Sequence, residues 1–212
     1  MHELIARIGR LKLIPVVVME DPAGAEPLAS ALMEAGLPIM EVTFRTAAAA
    51  RVLERAALAQ PEMLLGAGTV LTVEQAKQAT GAGARFVVSP GLQAPVVEWC
   101  LNAGVPVLPG VLTPTEIAEA AAMGLEAVKL FPVEAAGGVG YLKAVAAPFP
   151  RMRFVPTGGI TEENLLSYLE LRQVLACGGS WMVRPELLSA GRFDLVGEET
   201  RRALRQAGSL PG

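Results

Sequence analysis

One pattern constrains the fold of this chain more than any other: short apolar runs alternate with Ala-rich amphipathic stretches from end to end. The runs are rich in Val, Ile and Leu and fall at residues 13–19, 39–43, 63–66, 85–89, 106–109, 127–131, 153–157 and 173–176. Their spacing is roughly 20–25 residues, the size of a compact βα unit. Between them lie helical stretches at 27–35, 47–59, 73–80, 95–103, 114–123, 139–146 and 162–169. Several carry start signals: Thr72 and Thr113 as N-caps, Pro114 at a first helical position, and Thr161 ahead of Glu162 and Glu163. Gly36, Gly81, Gly104 and Gly124 mark helix ends. Strands of a parallel sheet covered on both faces read as continuous apolar runs, as these do. Eight such units in 212 residues, with no linker or charge block between them, predict a single (β/α)8 TIM barrel over residues 1–212 rather than an open doubly wound sheet. Residues 1–10 read as an additional N-terminal helix, 192–207 as a final helix, and 208–212 as a frayed tail.

Composition removes several function classes. No apolar run approaches the roughly 18 residues of a membrane span, and the longest, at 13–19, contains Pro15. The first ten residues have mixed charge and no small-residue cleavage site, so a cytoplasmic protein is expected. Cys100 and Cys177 show no metal-ligand spacing, and a disulfide is not expected in a reducing compartment. The only histidine is His2, which argues against histidine catalysis and against a zinc site. A net charge of -3 offers no electrostatic case for nucleic acid.

Lys129 is the most informative single residue. It interrupts the apolar run Ala127-Val128-Lys129-Leu130-Phe131, whereas Lys12, Lys77 and Lys143 stand in polar or helical segments. A charged ammonium on a buried strand is costly unless it is paired or loses its proton. A neutral amine is a nucleophile toward carbonyls, so one reading is a Schiff-base lysine. The other is a lysine at a strand end that snorkels to the surface or pairs with a carboxylate. Glu41, in Ile39-Met40-Glu41-Val42-Thr43, poses the same choice. It suits a general acid/base, or a buried ion pair with Lys129, and the two are compatible.

In a barrel the chemistry collects at the C-terminal strand ends. Arg45 follows the second strand and suits a bidentate clamp on a carboxylate, or simply a solvated arginine. Gly158-Gly159 and Gly178-Gly179-Ser180 follow the seventh and eighth strands, where bare amides can face an anion and where barrels commonly bind phosphate. A single glycine pair also marks ordinary tight turns; two at consecutive late strand ends point to a phosphate site.

With these residues in place, the chain resembles the bacterial 2-keto-3-deoxy-6-phosphogluconate aldolases, which also act as 4-hydroxy-2-oxoglutarate aldolases. The resemblance runs from about residue 7 to about residue 202. It is carried by Glu41-Val42-Thr43-Phe44-Arg45-Thr46, Gly66-Ala67-Gly68-Thr69-Val70 and Ser89-Pro90-Gly91. Further along it is carried by Val128-Lys129-Leu130-Phe131-Pro132, Pro156-Thr157-Gly158-Gly159-Ile160 and Gly178-Gly179-Ser180-Trp181. It implies a class I aldolase on a TIM barrel, with no metal or other cofactor, assembled as a homotrimer and acting on a small keto-acid phosphate. The family's Schiff-base lysine falls on Lys129 and its acid/base glutamate on Glu41. Its carboxylate-binding residues fall on Arg45 and Thr69, and the proline lining the pyruvate site on Pro90. Phe131 forms an apolar wall. Thr157 takes the position linked to stereochemical control, and Gly158, Gly159, Gly179 and Ser180 take the phosphate positions. Leu130 stands where many members carry an aromatic.

Three alternatives accompany this reading. A phosphogalactonate aldolase would run the same chemistry with the opposite C4 configuration, but that relative typically lacks the arginine found here at Arg45. An isomerase or epimerase on a phosphate-binding barrel would use Glu41 as a base without a covalent lysine. A non-catalytic phosphosugar-binding barrel would have no use for both Glu41 and Lys129.

Overall fold

Seven of the eight apolar runs contain parallel strands, all nearly or fully buried. A computed structural model describes residues 2–208; the side chain of His2 and the expected tail at 209–212 lie outside the described residues. After helix α1 (His2–Leu11) come β1 (Leu13–Val17), α2 (Ala25–Glu34), β2 (Ile39–Thr43), α3 (Ala49–Ala59), β3 (Leu64–Gly68), α4 (Val73–Gly81) and β4 (Phe86–Val88). The chain continues through α5 (Ala94–Asn102), β5 (Val107–Leu108), β6 (Gly110–Val111), α6 (Pro114–Ala122), β7 (Ala127–Leu130) and α7 (Gly138–Ala146). It ends with β8 (Arg153–Pro156), α8 (Leu165–Leu169), β9 (Cys177–Gly179), α9 (Pro185–Ser189) and α10 (Phe193–Gln206).

The result is an α/β fold whose strands pair in two parallel sheets, ordered β5-β4-β3-β2-β1-β9 and β6-β7-β8. Both divisions between the sheets have a local cause. The expected fifth strand, 106–109, runs on to Val111 but is broken into β5 and β6 at Pro109, which has no N–H to donate to a ladder. Its first half pairs with β4 and its second with β7, while the Pro109 carbonyl accepts the Lys129 N–H at 2.9 Å. Among the described residues, the β8 and β9 segments are joined by two isolated bridges, Phe154 to Val174 and Thr157 to Gly178. One chain takes three steps between them and the other four, so one residue bulges out. Pro156 removes a further donor there. The last strand also lies later than expected: residues 173–176 contribute one bridge, and the strand itself is the glycine-rich Cys177–Gly179.

The helix signals act as the sequence suggests, with two corrections. Thr72 Oγ1 accepts the Gln75 N–H at 3.1 Å, and Thr113 and Glu116 form a reciprocal capping box. Gly36 and Gly104 end their helices in the left-handed conformation, with φ of 89° and 68°. Gly81, however, is the last helical residue of α4, and the left-handed residue is Gly83, at φ 101°. Thr161 does not start α8 either. Asn164 does, because its Oδ1 accepts the Thr161 N–H at 2.8 Å and holds residues 161–163 in a turn. Helices pack on one another outside the strands, α10 on α2, α2 on α3 and α4 on α5. The buried side chains form one core from Leu4 to Ala207. Lys12, itself left-handed at φ 61°, ties the end of α1 to that of α10 by donating from Nζ to the Ala207 carbonyl at 2.9 Å.

Candidate active site

Strands β2 and β7 bring the two interior charges together. Glu41 is 3% exposed and Lys129 5%, and Lys129 Nζ stands 3.5 Å from Glu41 Oε1. The sequence alternatives of pairing and snorkelling are thereby decided for pairing. The contact is looser than a hydrogen bond, and Oε1 accepts no hydrogen bond from any other group. Buried polar atoms are normally satisfied, so an acceptor left open beside an amine is an atom available for proton transfer. Lys129 Nζ also lies 5.1 Å from the centroid of the Phe131 ring. Thr43, on the same strand as Glu41, is committed elsewhere: its Oγ1 donates to the Val17 carbonyl at 2.9 Å.

Arg45 follows β2 in an exposed turn and donates from Nε to Thr69 Oγ1 at 3.4 Å. Thr69 has φ of 57°, which a β-branched residue adopts at a cost of roughly 1–3 kcal/mol. The Val70 N–H, bonded to the Val88 carbonyl at 3.1 Å, secures the chain just after it. Pro90 lies in the turn after β4, which Ser89 closes by donating from Oγ to the Gly91 carbonyl at 2.7 Å. That turn presses on Gly110: a Cβ there would stand 2.7 Å from the Gly91 nitrogen and closer still to the Pro90 carbonyl.

The late strand ends are made differently. Gly158 and Gly159 are both left-handed, at φ of 93° and 89°. Among the described residues, neither their N–H groups nor that of Ser180 donates a hydrogen bond within the chain. The loop is held from behind. Val133 and Glu134 donate backbone N–H groups to the Thr157 and Gly158 carbonyls at 2.9 and 3.1 Å, and Asn164 Nδ2 donates to the Gly159 carbonyl at 3.0 Å. Glu134 also accepts the hydroxyl of the fully buried Tyr168. Gly159 packs so tightly on Glu134 that an added Cβ would stand 2.5 Å from that residue's own Cβ. Gly179 packs on the face of Trp181, and a Cβ there would fall inside the ring's van der Waals surface.

Seven of the expected residues line one pocket of about 330 Å³: Arg45, Phe131, Thr157, Gly158, Gly159, Gly179 and Ser180. Val16, Val18, Ile160, Gly178, Val183 and Pro185 complete it. Lys129 and Glu41 are not part of the lining; Phe131, which lines it and lies against Lys129 Nζ, connects the two. Thr69 joins through Arg45, and Pro90 stands apart from the pocket wall. A larger cleft of about 730 Å³ adjoins the pocket at Val18 and Pro185 but holds none of the expected residues. Glu134, Asn164, Tyr168 and Trp181 brace the site without having been singled out from the sequence. Only Trp181 stood in a family motif, and nothing in the spacing of the other three marks them.

The site therefore sets a buried amine and carboxylate beside a pocket lined by an arginine and by residues whose amides are free. Among the described residues, no group of three His, Cys, Asp or Glu side chains is arranged to hold a metal ion. Neither cysteine is suited to act as a nucleophile. Burial pushes the Cys100 thiol up to about 11 and the Cys177 thiol higher.

Comparison with known proteins gives a consistent result. The profile of the family described as KDPG and KHG aldolase matches residues 4–198. A 2-dehydro-3-deoxy-phosphogluconate aldolase of Treponema pallidum is 47% identical over 210 residues, spanning 99% of this chain and 100% of that protein. The KHG/KDPG aldolase of Escherichia coli K12 is 41% identical over 195 residues, 92% of each chain. Among solved structures, a KDPG aldolase of Legionella pneumophila, with pyruvate captured as a covalent carbinolamine, superposes with a TM-score of 0.90. That chain is 38% identical, and the match covers 93% of this chain and 96% of that one.

Proposed function

The chain belongs to the KDPG and KHG aldolase family, and on that premise we propose that it is a class I aldolase cleaving 2-dehydro-3-deoxy-6-phosphogluconate to pyruvate and glyceraldehyde 3-phosphate. In the same reading 4-hydroxy-2-oxoglutarate is a second substrate. The observation that carries it is the buried Lys129–Glu41 contact at 3.5 Å, beside a pocket lined by an arginine and by residues with open amides.

The chemistry follows from these groups. Neutral Lys129 attacks the C2 ketone, and the carbinolamine loses water to give an iminium. The C3–C4 bond breaks and its electron pair flows into the iminium, leaving a neutral enamine. Glu41 takes the C4 hydroxyl proton as the aldehyde forms and departs, and later returns a proton to C3. Hydrolysis then frees pyruvate and Lys129. Arg45 and Thr69 hold the carboxylate, Pro90 and Phe131 wall the pyruvate end, and Thr157 faces the C4 hydroxyl. Gly158, Gly159 and Ser180 hold the phosphate by their amides and the Ser180 hydroxyl, while Gly179, paired with Pro15 in the sheet, lines the pocket beside them. Holding both ends turns binding energy into placement of the reacting carbons over Lys129.

Structurally, we read the two sheets as one (β/α)8 barrel, with β5 and β6 as a single strand kinked at Pro109, and the whole chain as one catalytic domain. The enzyme works in the cytoplasm as a homotrimer in this account. Its relatives are bacterial metabolic enzymes, and among the described residues no helix is long and apolar enough to cross a membrane. The iminium does the work that a divalent ion does in a metal-dependent aldolase, so no metal is required.

Turnover on both C4 epimers, before and after exhaustive chelation, tests the proposal. The gluconate-type epimer should be cleaved preferentially, with full activity after chelation. Preference for the galactonate-type epimer would overturn the substrate assignment. A loss restored by a divalent ion would overturn the mechanism.

A further inference from the structure

We propose that Gly68 is a positioning residue for Glu41: the side chain that Gly68 lacks is the slot in which the carboxylate sits beside Lys129. The inference rests on the aldolase reading for its functional consequence and on geometry alone for its structural one.

Strands β2 and β3 pair in register, Glu41 with Gly66 and Thr43 with Gly68. Residues two apart on a strand share a face, so Gly66 and Gly68 open two adjacent slots on one face of β3. Each slot is filled by a neighbour. The ring of Phe86 occupies the one over Gly66, and Glu41 occupies the one over Gly68. A Cβ at Gly68 would stand 2.7 Å from both Cγ and Cδ of Glu41 and closer still to Oε1. The conflict thus involves the body of the side chain and not only its tip, so rotating the carboxylate does not relieve it. Glu41 is 3% exposed and the adjacent slot is full, so the whole side chain must shift from its place 3.5 Å from Lys129 Nζ. Gly68 is not among the left-handed glycines, so its backbone does not call for glycine; the space does. A strand glycine often marks the close approach of another group, and at Gly68, the last residue of β3, that group is Glu41.

The consequence is selective. Gly68→Ala moves Glu41 and leaves Lys129 on its own strand. Pyruvate should still be trapped on Lys129 by borohydride to the native end-point yield. Exchange of the pyruvate methyl protons with deuterated water, which needs the acid/base at C3, should fall by about a hundredfold, the effect of an ångström-scale misplacement. Exchange at the native rate in a folded Gly68→Ala protein would overturn the proposal. A thermal-unfolding cycle with Glu41→Ala keeps the test independent of activity and of whether the single variant folds. Gly68→Ala should lower Tm when Glu41 is present and have little effect when Glu41→Ala has vacated the slot. An equal loss in both backgrounds, or failure to fold in both, would show that Gly68 serves the strand and not the carboxylate. Absence of any pyruvate adduct on Lys129 in the native protein would instead remove the aldolase reading, while the unfolding cycle would still decide the role of Gly68.

Discussion

On the β2–β3–β7 side of the site the working groups are side chains carried inward by buried strands, whereas on the β8–β9 side they are backbone amides laid bare by glycine. Glu41 and Lys129 meet at 3.5 Å because two strands aim them at each other. Gly158 and Gly159 present their amides because both adopt φ near 90° and are braced from behind by Glu134 and Asn164. Such a division suits an enzyme that must do chemistry at one end of its substrate and only hold the other. It also separates the consequences of mutation. Changes on the first side should affect every substrate, and changes at the phosphate positions of the second, Gly158, Gly159 and Ser180, only a phosphorylated one.

The largest expected effect is on the side-chain half. Lys129→Met removes the covalent route and should lower cleavage of both the phosphorylated sugar acid and 4-hydroxy-2-oxoglutarate by several powers of ten. Residual turnover near the native rate on either substrate would erase the contrast. Next, Glu41→Gln should cost about 10²–10⁴-fold on both substrates, the usual contribution of a general acid/base, while pyruvate trapping persists. Steady-state kinetics on the two substrates checks both.

A smaller and one-sided effect is expected from Ser180→Ala. Ser180 is exposed and lines the pocket, so its removal disturbs no packing. Loss of one charge-assisted hydrogen bond is worth about 1.5–3 kcal/mol, or roughly ten- to a hundredfold, on the phosphorylated substrate alone. Equal losses on both substrates would merge the two halves. Substitution of Gly179 is a poorer probe, because any side chain there strikes Trp181 before it reaches a ligand. The smallest effect belongs to Cys100, which lies in helix α5 and in neither half. With the Cys100 thiol at about 11, roughly one in a thousand is ionised at pH 8. Alkylation of the native protein at that pH should be slow and leave activity intact, as mass spectrometry and assay would register.

The same contrast governs what could be read from the sequence. A charge inside an apolar run is visible at one position, so Glu41 and Lys129 stood out before any coordinates. The glycine pairs were visible as places, but their bracing was not. Trp181, Glu134, Asn164 and Tyr168 act across tertiary contacts that no local spacing records. Strand limits failed where the strand signal itself fails. The last strand is Cys-Gly-Gly at 177–179, too poor in apolar side chains to carry a strand signal, which falls instead on the apolar residues before it. Pro109 was counted inside a strand because its neighbours are apolar, although its missing N–H divides the ladder. Helix α8 begins late because Asn164, and not Thr161, closes the preceding turn. Gly68 was legible as a motif residue, but its purpose depends on which neighbour fills its slot.

The proposed mechanism depends above all on Lys129 as the covalent residue. Incubation with pyruvate and borohydride, followed by peptide mass mapping, measures this directly. The account predicts a single stable adduct on the peptide containing Lys129, formed in the presence of chelator. An adduct on Lys12, Lys77 or Lys143 instead, or no adduct under conditions of full turnover, would contradict it.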